Sequence, residues 1–424
     1  MELFIEAIIW IAYIISLYCS IFLFLVYLEK RKIFDLEQSS TEPEKFPFIS
    51  IIVPAYNEEK SIISTLESIE QIDYPKDKLE ILVVSNGSSD KTPQLVKEFI
   101  KNKKEFKLFS LTEKGKALAL NYGLSKCSGE FFACLDADSI VDKATLRKML
   151  SLYYKENDPK LAIITPAMKV YKPSTILQKI QWLEYIVIIF ISRLASQLDS
   201  LYVAPGPFSL YKTKIIKELG GFDEKNITED QEIAYRVQKH QYKIKQCFDG
   251  YVYTIAPSKL KAFYRQRKRW YLGSIICLHK YKEMIGNKKY GDFGVMQLVK
   301  NVVGYSLAFI GMILLFYFVI DPSMEWLKRI FILKENIINY LLTLDFKITF
   351  LDFFLADLRK WFIVLFLSVI GAIFFYVAHK NAKEKMMSVG WIPLIPYFAF
   401  YYVLKGTIFL LSFVHFSRKR RSRW

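Results

Sequence analysis

The sequence predicts an α/β domain built on a helix-covered sheet and enclosed by N- and C-terminal transmembrane helices. Two observations carry this. Residues from about 45 to 260 alternate short apolar strand runs with helical stretches, the pattern of strands and crossover helices. On either side lie apolar segments near the roughly 20 residues that a helix needs to cross a bilayer. Composition agrees: the 424 residues are 52% hydrophobic and 16% aromatic, yet 24% are charged, which suits one soluble domain joined to a few spans.

The first element is the N-terminal transmembrane helix, residues 1–32. Leu3–Leu28 is almost uninterrupted apolar sequence, with Glu6 near its start and Glu29-Lys30-Arg31-Lys32 behind it. A cleaved signal peptide fits less well, because no basic region precedes the run, the run is too long, and the cations follow it. By the positive-inside rule those cations lie in the cytosol, and so does the domain that follows.

Within residues 45–260, Phe48–Val53 reads as a buried strand and Glu59–Glu70 as a helix. Leu79–Val84 is a second strand and Ser89–Lys101 a helix, with Ser89 or Asp90 as N-cap. Phe106–Leu111 is a third strand, Lys116–Lys126 a helix, and Glu130–Leu135 a fourth strand. This alternation predicts a parallel sheet covered on both faces, which binds ligands outside the carboxyl ends of its strands. Farther along, Thr175–Gln197 contains the apolar run Tyr185–Ile191, flanked by Gln181, Glu184 and Arg193. The run is too short to span, so it is either an in-plane helix at the membrane surface or a buried core helix.

Residues 261–290 form an interfacial helix region, 296–416 a C-terminal transmembrane region, and 417–424 a basic tail. Three spans are read there. Asn301–Ile320 is uncharged and ends at Asp321-Pro322; Trp361–Ala378 is uncharged; Trp391–Phe416 is apolar except for Lys405 and carries Pro393 and Pro396 near its start. Lys405 either lines a channel or snorkels. One plus three spans would export the tail Arg418-Lys419-Arg420-Arg421, against the positive-inside rule. Either the last segment is a broken hairpin, or Ser323–Asp357 holds a further membrane-embedded piece.

The formal net charge is +17. Nucleic-acid binding is disfavoured, because the aromatic residues sit mainly in apolar runs and not among cations. Cations near membrane ends meet anionic lipid instead. The five cysteines, Cys19, Cys127, Cys134, Cys247 and Cys277, form no CxxC pair and read as buried residues of a reduced compartment, not a disulfide or zinc framework.

Three polar motifs each follow a predicted strand: Tyr56-Asn57-Glu58, Ser85-Asn86-Gly87-Ser88 and Asp136-Ala137-Asp138. All three therefore land on one sheet edge. Asp136 and Asp138, two apart in extended chain, point the same way and suit a hard cation that bridges a diphosphate. An isolated DxD is more often a surface turn; its position after a buried strand favours the site. Lys114 and Lys116 flank Gly115 at a helix start, where ammonium groups and the helix N-terminus favour phosphate. Lys116 is the better candidate, being nearer the helix.

Thr228-Glu229-Asp230 opens the helical stretch Asp230–Gln241, with Thr228 as N-cap. Asp230 suits a general base that takes a proton from an attacking hydroxyl. One base opposite one metal-bound leaving group implies inversion; a retaining route through two carboxylates stays open. Gln266-Arg267-Lys268-Arg269-Trp270 combines guanidinium forks for phosphate with an aromatic face for a sugar ring. Taken alone, the stretch reads rather as a basic, aromatic interfacial anchor.

With these motifs in order, the chain resembles glycosyltransferase family 2, in particular its membrane-embedded processive branch of hyaluronan, cellulose and poly-N-acetylglucosamine synthases. The resemblance covers about residues 48–275. It implies a GT-A-like nucleotide-binding mixed sheet. It also implies that Tyr56, Glu58, Asn86, Lys116 and Asp136 serve the donor nucleotide, and that Asp136 and Asp138 hold Mg2+ or Mn2+. Asp230 is the implied base, and Glu229, Gln266, Arg267, Arg269, Trp270 and Gly206 serve acceptor and diphosphate. Gly206 lies in Ala204-Pro205-Gly206-Pro207, which resembles the family's acceptor loop apart from Pro205. The family often has Asp-Asp-Gly-Ser where this chain has Ser85-Asn86-Gly87-Ser88, so a charge near the base is lost.

The expected activity is that of an inverting enzyme of the plasma membrane with a cytosolic catalytic domain. It would take a UDP-sugar and extend a polysaccharide processively while translocating it. Transfer of one sugar to a lipid such as a polyprenyl phosphate or diacylglycerol shares all the donor chemistry. A scaffold or sensor with a degenerate domain is disfavoured by the intact Asp136, Asp138 and Asp230.

Overall fold

The computed structural model describes residues 2–35, 42–325, 328 and 358–419. Most of the Ser323–Asp357 segment and the end of the tail lie outside the described residues. The chain opens with α1 (Glu2–Asp35). The predicted alternation then follows: β1 (Ile49–Ala55), α2 (Ile62–Glu70), β2 (Leu79–Asn86), α3 (Thr92–Phe99), β3 (Phe106–Leu111), α4 (Lys116–Lys126) and β4 (Phe131–Cys134). α3 starts later than its sequence pattern suggests, because Asp90 Oδ1 accepts the Thr92 N–H at 3.0 Å and closes a turn ahead of the helix.

The second half of the domain is irregular in rhythm: β5 (Ser139–Val141), α5 (Thr145–Glu156), β6 (Leu161–Val170), α6 (Ile176–Gln197), β7 (Leu210–Lys212), α7 (Thr213–Glu218), α8 (Glu229–Lys239) and β8 (Lys243–Thr254). The eight strands form one sheet in the order β3-β2-β1-β4-β7-β6-β8-β5. β3, β2, β1 and β4 pair in parallel, as their crossover helices require. β7 then pairs antiparallel with both β4 and β6, β6 pairs in parallel with β8, and β8 antiparallel with β5. The parallel pairing read from the first alternation therefore holds, and the antiparallel pairs of the second half make the sheet mixed, as the family resemblance implies. The strands β5 and β7, three residues each, are too short to leave a strand signal in the sequence.

Alternate residues of β1 face two cores. Ile49, Ile51 and Val53 pack with Ile62, Leu66 and Ile69 of α2 and with Leu146 and Leu150 of α5. Ile52 packs with Leu120 of α4 and Ile233 and Val237 of α8. Each such side chain, fully buried, contributes roughly 1.5–3 kcal/mol.

α6 is a core helix, which corrects the in-plane alternative. It packs on β6 and β8, and its run from Gln178 to Ile186 is almost wholly buried. Thr175 caps it: Gln178 N–H donates to Thr175 Oγ1 at 3.2 Å, and Gln178 Oε1 accepts from Thr175 N–H at 3.1 Å.

After the domain come α9 (Leu260–Lys280), α10 (Val299–Leu315), α11 (Leu358–Asn381) and α12 (Tyr402–Lys419). Among the described residues, four helices are long and apolar enough to cross a membrane: Leu3–Lys32, Phe293–Glu325, Trp361–Asn381 and Leu394–Arg418. The chain divides into two compact units, Met1–Leu28 with Lys300–Tyr376, and Glu29–Val299 with Val377–Trp424. The five cysteines are free, as their spacing predicts.

Candidate active site

The parallel half of the sheet delivers its polar motifs to one edge. Ala55 lies opposite Ser85, and Asn86 opposite Leu111, so the loops after β1, β2 and β3 leave together. Asn57 adopts a left-handed conformation (φ 55°), which its Oδ1 fixes by accepting the Ser89 N–H at 2.8 Å. Asn86 is nearly fully buried. With its amide oriented to suit its neighbours, it donates to the Ala55 carbonyl (2.8 Å) and accepts from Gly115 N–H (3.2 Å). It thus ties the loops of β1 and β3 to one another. Tyr56 is exposed at the same edge, with Lys114 Nζ 5.2 Å from its ring centre. Glu58 Oε2 accepts from Ser61 Oγ at 2.6 Å.

β4 leads into Asp136-Ala137-Asp138. The Leu135 N–H bonds Ile52 O at 2.9 Å, the Ala137 carbonyl accepts from Thr65 Oγ1 of α2 at 2.9 Å, and the Ser139 N–H returns to Asp136 O at 3.0 Å. This turn is therefore held at both ends and in the middle. Lys116, at the start of α4, pairs with Asp136 at 2.5 Å and with Glu229 of α8 at 3.0 Å. Asp230 is also close enough to act on the Lys116 charge.

The loop after α6 closes over this group. Phe208 N–H bonds Cys134 O, and Ala204 N–H bonds the Asp230 carbonyl at 3.2 Å, so the loop bridges β4 and α8. Gly206 faces the ion pair directly. A Cβ there would sit 2.7 Å from Lys116 Nζ and 3.2 Å from Asp136 Oδ2, so a larger residue would have to push the end of the lysine side chain aside.

Asp136, Asp138, Glu229 and Asp230 gather around Lys116, with Arg269 acting on Glu229 and Asp230 from α9. Burial, reinforced by Asp136 and Glu58, pushes Asp138 up to about 6. Burial and the adjacent Glu229 push Asp230 up to about 6, against the pull of Lys116 and Arg269. Burial opposes the Glu229 charge too, but Lys116 outweighs it and holds that carboxyl below its ordinary value. Lys116 is raised in turn: burial would lower it, and Asp136 and Glu229 prevail.

Among the described residues no three His, Cys, Asp or Glu side chains form a ready-made metal cluster. Asp136 and Asp138 supply two carboxylates, the donor set of a hard cation completed by substrate phosphates and water. An excess of acid over base around Lys116 fits such an ion.

Two expectations on α8 and α9 are corrected. Thr228 occupies the N-cap position but makes no capping bond; its hydroxyl donates to Asn226 Oδ1 at 3.3 Å. That side chain packs against α9, where a Cβ on Gly273 would fall 2.1 Å from Thr228 Oγ1. Arg267 points away from the acidic group. It is buried, pairs with Glu184 of α6 at 2.5 Å, and lies 4.3 Å from the Trp270 ring centre. Glu184 also accepts from Tyr401 OH (2.7 Å) and Lys405 Nζ (2.6 Å), which gives Lys405 a partner in place of a channel. Burial would raise Glu184, but Arg267 and Lys405 hold it at about 2. Gln266 is half-buried, with Oε1 unpartnered among the described residues, and Arg269 is exposed.

In the sequence Glu184 stands only as a charge flanking an apolar run. The signal was present: one isolated acid and one isolated base in apolar segments must find each other. Tyr185, beside it and influenced by Asp138, carried no such signal.

The pattern of glycosyl transferase family 2 matches residues 50–220. Residues 50–220 are a glycosyltransferase family 2 domain. The protein is a glycosyltransferase, and β1 to α7, with the Asp136-Ala137-Asp138 turn, lie within that match. The poly-β-1,6-N-acetyl-D-glucosamine synthase of Staphylococcus epidermidis is 28% identical over 384 residues, 90% of this chain and 86% of that protein. Its namesake from Staphylococcus aureus strain COL is 33% identical over 227 residues, 53% of this chain and 54% of that one. The glycosyltransferase's fold is GT-A-like. It superposes on the mannosyltransferase PcManGT from Pyrobaculum calidifontis, solved with GDP-Man and Mn2+, with TM-score 0.56 and 20% identity, covering 89% of this chain and 99% of that one.

Proposed function

We propose that this glycosyltransferase polymerises N-acetylglucosamine from its UDP-sugar, in β-1,6 linkage with inversion, at the cytoplasmic face of the plasma membrane. The observation that carries the chemistry is Asp230, a carboxylate at about 6 that shares Lys116 with Asp136. The synthase similarity, which runs across 86% of the Staphylococcus epidermidis protein, supports the polymer and the sugar.

In this reading the acceptor hydroxyl lies against Asp230. Its oxygen forms a bond to the anomeric carbon while the bond from that carbon to the β-phosphate oxygen breaks. The hydroxyl proton passes to the Asp230 carboxylate and then to water. A base at about 6 is mostly ionised at neutral pH yet basic enough to accept that proton. Asp136 and Asp138 would hold Mg2+ or Mn2+, which supplies charge neutralisation to the departing diphosphate. The mannosyltransferase solved with Mn2+ is a precedent for a divalent ion on this fold. Gly206 leaves room beside Lys116 and Asp136, Arg269 adds positive charge at the acid group, and Trp270 offers an aromatic face to the acceptor sugar. Tyr56 and Glu58 stand at the edge where a nucleoside would lie.

Turnover in nanodiscs against a panel of nucleotide sugars, with Mg2+ or Mn2+, tests this. A high-molecular-weight glycan from UDP-GlcNAc alone is the expected product. A small organic-soluble product would replace the polymerase reading with transfer to a lipid, and a long polymer from another donor would replace the sugar.

A further inference from the structure

The last candidate span, Leu394–Arg418, belongs to the compact unit that contains the catalytic domain. Its surroundings show how it is held. α12 runs beside α9 in the same direction. Tyr401 meets Phe263 (5.7 Å between ring centres), Phe409 meets Tyr271 (5.7 Å), and Phe416 meets His279 (5.9 Å). At 1.5 Å per residue, the two helices stay together for roughly 23 Å. The buried face of α12 is Ile408, Phe409 and Ser412, a helical stripe that continues from Tyr401 just before it. Lys405 adds the ion pair with Glu184.

α9 is not built to cross a bilayer. It carries Lys261, Arg265, Arg267, Lys268, Arg269 and Lys280. Its second half is fixed in the catalytic domain. Ser274 Oγ donates to Gln231 Oε1 at 2.9 Å, Gly273 fits against Thr228, and Lys280 pairs with Asp223 and Glu232 at 2.7 Å each. A helix bound to α9 along its length cannot carry its far end across a hydrocarbon core of about 30 Å. If α9 crossed with it, these cations would have to enter the hydrocarbon core, where charged side chains are strongly disfavoured.

The chain just after α11 is docked on the domain as well. Lys169 of β6 donates to the Ala382 carbonyl (2.7 Å) and pairs with Glu384 (2.8 Å). The face of α12 turned away from α9 nevertheless exposes Tyr402, Val403, Leu411, Phe413 and Val414, continuing Trp391, Ile395 and Phe398 upstream. This face is apolar and aromatic, while Arg265 and Arg269 of α9 and Arg418 are exposed. Aromatic and basic residues together suit the headgroup region of an anionic membrane, not water and not its centre.

We propose that α9 and α12 form a paired platform lying along the membrane surface, with α12 seated on anionic lipid and not crossing it. The basic tail that begins at Arg418 then stays on the side of the catalytic domain. Counted over the spans among the described residues, this satisfies the positive-inside rule, which a fourth crossing would break. The proposal does not depend on which sugar or acceptor is used.

Full-length protein tests it, with the parent chain as the labelling background. Arg418→Cys and the exposed helix position Lys97→Cys should react with a membrane-impermeant maleimide from the same side, in inverted vesicles and not in intact cells. Reaction of the two from opposite sides overturns the proposal. Spin labels at Phe400→Cys and Phe413→Cys, in liposomes of phosphatidylcholine with phosphatidylglycerol, should report the same shallow depth. A spanning helix would separate the two depths by roughly 20 Å, at 1.5 Å per residue, and that result also overturns it.

Discussion

Two buried ionic groups in the same unit carry opposite imbalances. Around Lys116 stand Asp136, Asp138, Glu229 and Asp230, an excess of acid that leaves Asp138 and Asp230 at about 6. Around Glu184 stand Arg267 and Lys405, an excess of base that holds the acid at about 2. The first group has acid in excess and keeps two of its carboxylates near their titration point, which suits chemistry. The second is completed by Tyr401 and joins α6, α9 and α12, which suits structure. Burial alone therefore does not mark a catalytic acid; the sign of the surrounding charge does.

The largest expected effect separates the two groups directly. Asp230→Asn should lower turnover by at least about 10²-fold, the usual scale for a positioned base. It should not lower the melting temperature at pH 7.5. The folded-state pKa of Asp230 is raised, so its contribution to stability is present at low pH and lost as pH rises through about 6; above that its charge opposes folding. Released nucleotide diphosphate and a thermal melt in detergent read the two quantities.

Glu184→Ala should do the reverse. It leaves Arg267 and Lys405 buried without their acid, a loss of about 3–5 kcal/mol by analogy with broken buried pairs. Thermal unfolding should show a marked drop, and Glu184→Ala combined with Lys405→Met should recover part of it. Because Glu184 is held low, its contribution is present above the ordinary carboxylate range and is lost as pH falls toward about 2.

The pH profile sharpens the contrast. Turnover should rise with pH through an apparent value near 6 as Asp138 and Asp230 lose protons. Lys116→Met removes the cation that favours their charged forms and should move that limb to higher pH. A limb unmoved by this change would mean that Lys116 does not govern the acids.

The smallest effect belongs to Gly206→Ala. The added methyl meets Lys116 Nζ at 2.7 Å and must push the ammonium aside. A loss of about tenfold in kcat/KM is expected, equivalent to about 1.4 kcal/mol, with folding retained.

The parallel half of the fold was legible because its apolar runs and helices repeat with a simple rhythm. The same rhythm located Asp136 and Asp138 at a strand end. The second half was not legible: β5 and β7 are three residues long, and their pairing comes from distant strands. The motif helix divides in the same way. Its composition marked it as basic and aromatic, but only packing shows that Arg267 turns to Glu184 while Arg269 acts on Asp230. Adjacent helix positions differ by about 100° in direction, so neighbouring arginines two apart cannot share a role.

By itself, then, the sequence determined the elements whose periodicity is local: the apolar helices, the parallel strands, and the acids that follow them. Tertiary structure alone decided which buried charges meet, that Thr175–Gln197 is core, and that Leu394–Arg418 lies beside α9. Those outcomes depend on partners far away in the chain, as Glu184 and Arg267, 83 residues apart, are. Local propensity holds no information about a charge that distant; only the cost of burying it unpaired selects the match.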